Sequence, residues 1–253
     1  MIKQAQIGIF GGSGFYKFLD NIEEISIETP YGETSDKIML GKIANKDVAF
    51  MPRHGRNHSI APQKVNYSAN VWAMKQMGCK CVISPCAAGS LQTHVKPGDI
   101  VFCDQYVDRT HSRCDTYFEY DKIEHVSAAD PYCPKLREIA IDCAKNLGLS
   151  FHDKGTIVVI QGPRFNTKAE SAFYTKHGWE VVNMTQYPEV HLVKELGMKP
   201  LNISLITDYD AGLVADCEPV SHQAVMKIFE ENISNLRKLL FSIVENIPDE
   251  LLK

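Results

Sequence analysis

Six short segments of this 253-residue chain carry side chains that could bind an anion, stack on a planar ring or move a proton. The most concentrated is Pro52-Arg53-His54-Gly55-Arg56-Asn57-His58, with two arginines and two histidines in seven residues. A guanidinium can grip two phosphate oxygens at once, and an imidazole can add a hydrogen bond. His54 and His58 also have the spacing of a helical metal pair. Pro52, Gly55 and Pro62 argue against a helix there, however, and no acidic third ligand is near, so the sequence points to no metal. A solvated basic loop is the plainer alternative.

The other five segments are individually less telling. Gly8 to Gly14 runs from apolar residues into Gly11-Gly12-Ser13-Gly14, either a tight turn or a cradle of backbone N–H groups with Ser13 as an added donor. Its glycine spacing fits neither a dinucleotide fingerprint nor a Walker A loop. Cys86-Ala87-Ala88-Gly89-Ser90 is small enough after a strand to let a ligand approach the backbone. Phe165 and Asn166 offer a ring to stack on a base and an amide that both donates and accepts, although Phe165 would serve equally as core. Met184-Thr185 leads into a helix whose first turn is Pro188-Glu189, where the helix dipole favours an anion and Thr185 supplies a hydroxyl. Asp208 and Asp210, two apart at a strand end, suggest one carboxyl that is protonated and donates; a turn or helix cap would use the same residues.

These segments need a scaffold, and the hydrophobic pattern supplies one. Strands are predicted at 6–10, 37–40, 48–51, 81–84, 99–103, 155–160, 180–183 and 201–207, many of them continuous Val and Ile runs suited to burial on both faces. Helices are predicted over 64–77, 135–146, 168–176, 189–196 and 221–245. The last repeats Val225, Phe229, Ile233, Leu236, Leu240 and Ile243 at three- and four-residue steps, with Ser221 as its N-cap. Gly197 ends the helix before it. The alternation implies an α/β fold: a single domain, 1–253, with a mixed, mostly parallel β-sheet flanked by α-helices. The strands within 37–51 read as an antiparallel hairpin turning at 44–47. Ligands in such sheets bind at the carboxyl ends of strands, where the six segments lie.

Composition excludes several classes. Net charge is −4, which favours neither nucleic acid nor an anionic membrane, so a bound anion must be held locally. No signal pattern or apolar span of about 20 residues occurs, and the expectation is a cytoplasmic protein. The eight cysteines form no Cys-x-x-Cys pair and read as buried, reduced thiols.

In this order the six segments resemble the trimeric nucleoside phosphorylase family, and within it the methylthioadenosine phosphorylase branch. IGIFGGSGFY, PRHGRNH followed by KVNYSANVWAMK, GPRFNTKAES, VNMTQYPEV and TDYDAG carry the resemblance, which spans nearly the whole chain. It implies a phosphate site on Ser13, Arg53, His54, Ala87 and Thr185, ribose beside Met184, and a purine near Ala88, Phe165 and Asn166. Asp208 and Asp210 then face the N7 and 6-substituent edge, with Asp208 as the catalytic donor. The resemblance implies a homotrimer in which His125 reaches a neighbour's site, and no cofactor beyond phosphate as co-substrate. It also implies 5′-methylthioadenosine as substrate. Asn166, an amide able to tolerate a 6-oxo purine, stands where animal relatives in this branch have Ser, and His222 stands near the 5′ group where they are apolar. A histidine reading a 5′-hydroxyl would suit a general purine nucleoside phosphorylase acting on adenosine, inosine or guanosine.

Overall fold

A computed structural model describes residues 4–11, 20–118, 123–214 and 221–253, the side chains of Asp20, Asn21 and His222 excepted. One eleven-stranded sheet organises these residues. Its centre is built by three apolar strands, β1 (Ile7–Gly11), β4 (Lys46–Pro52) and β5 (Cys81–Ser90), with β1 parallel to both of the others. β5 also runs parallel to β11 (Lys199–Tyr209) in register from Cys81↔Lys199 to Ser90↔Tyr209, with an irregularity between Ile206 and Asp208. Near its end β5 pairs antiparallel with β10 (Val181–Asn183), which leads in parallel to β9 (Thr156–Ile160) and then to β7 (Gln105–Arg109). The expected mixed, mostly parallel sheet is what forms.

Helices cover both faces, which is why the central strands are apolar on both sides. On one face, α2 (Pro134–Asn146) and α5 (His222–Asn246) bury Leu136, Ala140, Leu236, Leu240 and Ile243 against Ile7, Ile9, Ile83, Leu201 and Ile203. On the other, α1 (Tyr67–Gln76) and α4 (Gln186–Glu195) bury Val71, Met74, Leu192 and Val193 against Phe10, Met51 and Val82. The predicted caps operate. The Ser221 hydroxyl accepts from the Ala224 N–H at 3.2 Å, and Gly197 adopts φ +70° after α4. α3 (Lys168–Lys176) begins with a capping box between Thr167 and Glu170.

Three differences from the sequence pattern have a common cause. β2 (Asp20–Ile25), β7 and β8 (Phe151–His152) were not predicted; the first two are the ends of the main strand path, and β8 pairs only β6 (Ile100–Val101). Strands at a sheet's margin need no apolar residues on both faces, so their sequences lack the signal. The predicted strand 99–103 accordingly contracts to β6. The small segment 86–90 does not follow a strand but is the second half of β5, where alanine and glycine extend the ladder while leaving room above it. The hairpin joins β3 (Ile38–Ile43) to β4 through Ala44 and Asn45 alone, both at positive φ as a tight two-residue turn demands.

Of the described cysteines none is in a disulfide, and Cys79, Cys81, Cys86, Cys103 and Cys143 are buried; Cys114 is exposed and Cys133 half-buried. No helix among the described residues is long and apolar enough to cross a membrane.

Candidate active site

The carboxyl ends of β4, β5, β10 and β11 open onto a cavity of about 530 Å³. It brings together Arg53, His54, Ala87, Ala88, Phe165, Asn166, Met184, Thr185, Asp208 and Asp210, residues drawn from five of the six segments. Ser13 lies outside the described residues, as does the side chain of His222. His125 is described but exposed, and it does not line this cavity.

β5 sets the scale of the cavity. The Arg53 guanidinium reaches the Pro85 carbonyl, while Asp208 stands beside Gly89 four residues further on. At about 3.3 Å per residue those points lie about 13 Å apart along the strand. One end of the cavity is therefore organised by a cation and the other by carboxyls.

At the first end, Arg53 is almost fully buried and its charge is already matched. Its Nε donates to Glu189 Oε2 at 2.5 Å and its Nη2 to Glu189 Oε1 at 2.8 Å. Nη2 also approaches the Phe10 carbonyl at 3.3 Å, and Nη1 the Pro85 carbonyl at 3.4 Å. The two-point grip that the sequence suggested for phosphate is thus made to a carboxylate of the same chain, and Nη1 is the less engaged edge. Burial alone would lower the Arg53 pKa, but the Glu189 carboxylate outweighs it and raises it.

His54 differs from expectation in a second way. Its Nδ1 lies 2.9 Å from the Ile60 carbonyl, an acceptor only, so Nδ1 carries the hydrogen and donates. Burial, and then the charge of Arg53, depress its pKa to about 4. At neutral pH the ring is therefore uncharged and Nε2 is an acceptor. The charge at this end comes from Arg53, with Thr185 as a neutral neighbour. Thr185 occupies the N-cap position of α4 without capping it; its buried hydroxyl oxygen accepts from Asn183 Nδ2 at 3.5 Å, which leaves the hydroxyl hydrogen to be donated to a ligand. The described residues contain no group of three or more His, Cys, Asp or Glu placed to hold a metal.

At the second end, the Thr207 hydroxyl donates to Asp208 Oδ1 at 2.7 Å. Burial raises the Asp208 carboxyl above the usual carboxylate range; the Thr207 bond opposes that shift and Asp210 adds to it. Gly89 makes this placement possible, because a Cβ there would stand 3.0 Å from Asp208 Oδ2. Asp210 is buried, and its Oδ2 accepts from Asn166 Nδ2 at 2.8 Å. That bond fixes the Asn166 amide and leaves its Oδ1 as the free acceptor. Gly162, at φ +66°, admits Met184: a Cβ there would meet the Met184 sulfur at 2.6 Å.

Several contributors were not visible in the sequence. Val225, Met226 and Phe229 of α5 line the cavity, although the helical repeat assigned Val225 and Phe229 to core. Ile60, Ala61 and Pro62 complete an apolar wall. Arg113 braces the site from behind, donating to the carbonyls of Gln161 at 2.9 Å, Met184 at 3.0 Å and Tyr187 at 2.5 Å. No local motif announces a brace of this kind, since its partners are backbone oxygens far away in sequence.

The profile of the phosphorylase superfamily matches residues 6–245. A purine nucleoside phosphorylase of Streptomyces coelicolor is 45% identical over 253 residues, covering 97% of this chain and 90% of that protein. An S-methyl-5′-thioadenosine phosphorylase of Thermofilum pendens is 44% identical over 251 residues, covering 98% and 95%. Among solved structures, methylthioadenosine phosphorylase from Schistosoma mansoni in complex with adenine superposes with a TM-score of 0.92 at 32% identity, covering 98% of this chain and 95% of that one. Sheet, cavity and near-complete sequence likeness lead to one assignment: the chain belongs to the phosphorylase superfamily.

Proposed function

We propose that this enzyme cleaves 5′-methylthioadenosine with phosphate, giving adenine and 5-methylthioribose 1-phosphate. The carrying observation is the cavity's division into an anion end and a carboxyl end about 13 Å apart along β5, roughly the span of a phosphate, a ribose and a purine. The whole chain acts as one catalytic unit. Phosphate sits with Arg53, His54, Ala87, Thr185 and Ser13, ribose beside Met184, and the purine against Phe165 and Ala88.

The chemistry follows from that placement. As the C1′–N9 bond lengthens, a phosphate oxygen attacks C1′ from the opposite face, and holding the two together supplies much of the acceleration. Negative charge gathers on the departing base. Asp208, its carboxyl raised by burial, donates a proton to N7. Asn166 Oδ1, fixed by Asp210, accepts from the 6-amino group, which favours adenine over a 6-oxo purine. Phosphate is itself the nucleophile, so the scheme calls for no metal, cofactor or covalent enzyme intermediate. Val225, Met226 and Phe229 offer apolar contact that suits a methylthio group better than a hydroxyl.

The same reading includes a cytoplasmic homotrimer. His125, exposed and outside the cavity of its own chain, is free to enter a neighbour's site. A general purine nucleoside phosphorylase is the second reading, favoured by the Streptomyces coelicolor relative and by His222 at the start of α5.

Base release from methylthioadenosine, adenosine and inosine, each with and without phosphate, tests both. Phosphate-dependent adenine release fastest from methylthioadenosine supports the first. Faster turnover of adenosine or inosine moves the enzyme to the second, and release without phosphate defeats both.

A further inference from the structure

Arg53 is the only lysine or arginine among the described residues that line the cavity, and it already has a full counter-charge. Arg53 and Glu189 side chains are each 2% exposed, so neither is screened by water. Other ionisable neighbours add nothing to the balance: burial pushes the Tyr67 hydroxyl and the Cys86 thiol up, keeping both neutral. His54 is neutral as well, and the opposite end of the cavity holds Asp208 and Asp210. An anion-binding site whose one permanent cation is neutralised from within must hold its ligand less tightly than the cation alone would.

The connection is also specific in place. Arg53 directly follows β4, and Glu189 lies in the first turn of α4, four residues beyond its N-cap Thr185 and two beyond Tyr187, where the helical backbone is interrupted. A carboxylate in that first turn is favoured by the helix dipole and sits behind the end of α4 that faces the cavity.

We propose that Glu189 is the internal counter-charge of the phosphate site: it competes with bound phosphate for the Arg53 guanidinium, orients that group, and keeps affinity for phosphate and for the sugar 1-phosphate product low enough for release. Glu189 is thus a positioning and affinity-setting residue that acts through Arg53. The inference rests on the phosphate end of the proposed site. It extends that reading, since nothing in the donor set alone requires a built-in competitor.

A simple staple between β4 and α4 would behave oppositely. Loss of a staple loosens Arg53 and weakens phosphate binding. Loss of a counter-charge leaves an unpaired buried cation that phosphate then satisfies, so binding tightens. With charges a few ångströms apart in a partly screened interior, the change is about tenfold to a hundredfold in affinity.

The test is calorimetric titration of inorganic phosphate into the whole protein without nucleoside, for wild type, E189Q and E189D. E189Q is expected to bind phosphate at least about tenfold more tightly, and its melting temperature to rise more steeply with added phosphate. In turnover, its KM for phosphate and its kcat fall together, as slow product release requires, while KM for nucleoside stays near wild type. E189D keeps the charge and is expected to bind phosphate within about threefold of wild type. Weaker or unchanged binding by E189Q overturns the inference. If E189Q does not fold, E189D decides alone, and a change beyond about tenfold in either direction overturns it. Failure of the wild type to bind phosphate would instead remove the proposed phosphate site itself, so the two failures are separable.

Discussion

The two ends of the cavity handle buried charge in opposite ways. At the cationic end, Arg53 is matched by a two-point contact with Glu189 and stays charged. At the carboxyl end, Asp208 receives one hydroxyl bond from Thr207, and a second carboxyl, Asp210, lies nearby. Burial there raises the carboxyl's pKa instead of being offset by a charged partner. The supply of partners, not burial alone, decides whether the charged form is favoured. A paired group holds a fixed charge and can orient a ligand. An under-paired acid has its proton affinity raised, the change that suits a proton donor.

Asp208→Asn tests that contrast most severely. Kinetics with adenine nucleosides should show kcat/KM falling by about 10²- to 10⁴-fold, the usual worth of a positioned acid, with 6-oxo nucleosides relatively favoured. Stability should move the other way. A carboxyl whose folded pKa is raised favours folding below its unfolded pKa, and that contribution is lost as pH rises through the folded value. Asparagine escapes the loss, so the variant's melting temperature at pH 7 should exceed wild type. A lower melting temperature with an unchanged substrate ratio would mean that Asp208 is an ordinary ionised partner.

The next effect concerns His54. Its folded pKa near 4 lies below the ordinary 6.5, so the neutral ring stabilises the fold above about pH 6.5. That contribution declines as pH falls toward 4, and the shift corresponds to about 3 kcal/mol in all. Denaturant unfolding from pH 7 to pH 4 should show this loss in wild type and a much flatter profile in His54→Gln. Equal slopes in the two proteins would place the acid sensitivity elsewhere.

Gly89→Ala separates the two ends directly. The added methyl displaces the Asp208 carboxyl, since it would stand 3.0 Å from Oδ2, but it meets nothing at the Arg53 end. We expect a fall in kcat of roughly tenfold or more, the scale of a misplaced acid, with phosphate affinity unaltered in a calorimetric titration. Equal damage to phosphate binding would show that the ends are coupled through β5. The smallest effect is expected for Thr167→Ala, which removes the cap of α3 next to Asn166. Thermal unfolding should register about 1 kcal/mol, and any kinetic change should fall on the nucleoside and not on phosphate.

Much of this protein follows from its residues taken in order. Apolar runs on the central strands marked burial on both faces, and the three- and four-residue repeat of α5 marked its buried stripe, because those periods are local properties of the backbone. Polar and small residues at the strand ends identified the segments that meet in the cavity. The edge strands β2 and β7 were invisible, because strands at a margin can carry acids without cost.

What only the tertiary structure decided is which groups neutralise one another. Arg53 and Glu189 are 136 residues apart, and nothing near either announces the pair. His54 reads in sequence as a phosphate donor, yet burial and the Arg53 charge make it a neutral ring, and the Ile60 carbonyl, by taking the Nδ1 hydrogen, leaves Nε2 as acceptor. Asn166 gains a fixed orientation only when Asp210 arrives from β11's far end. Residue type states what a side chain can do. Charge state and hydrogen-bond direction depend on distances to groups remote in the chain, and those distances exist only once the sheet has closed around the site.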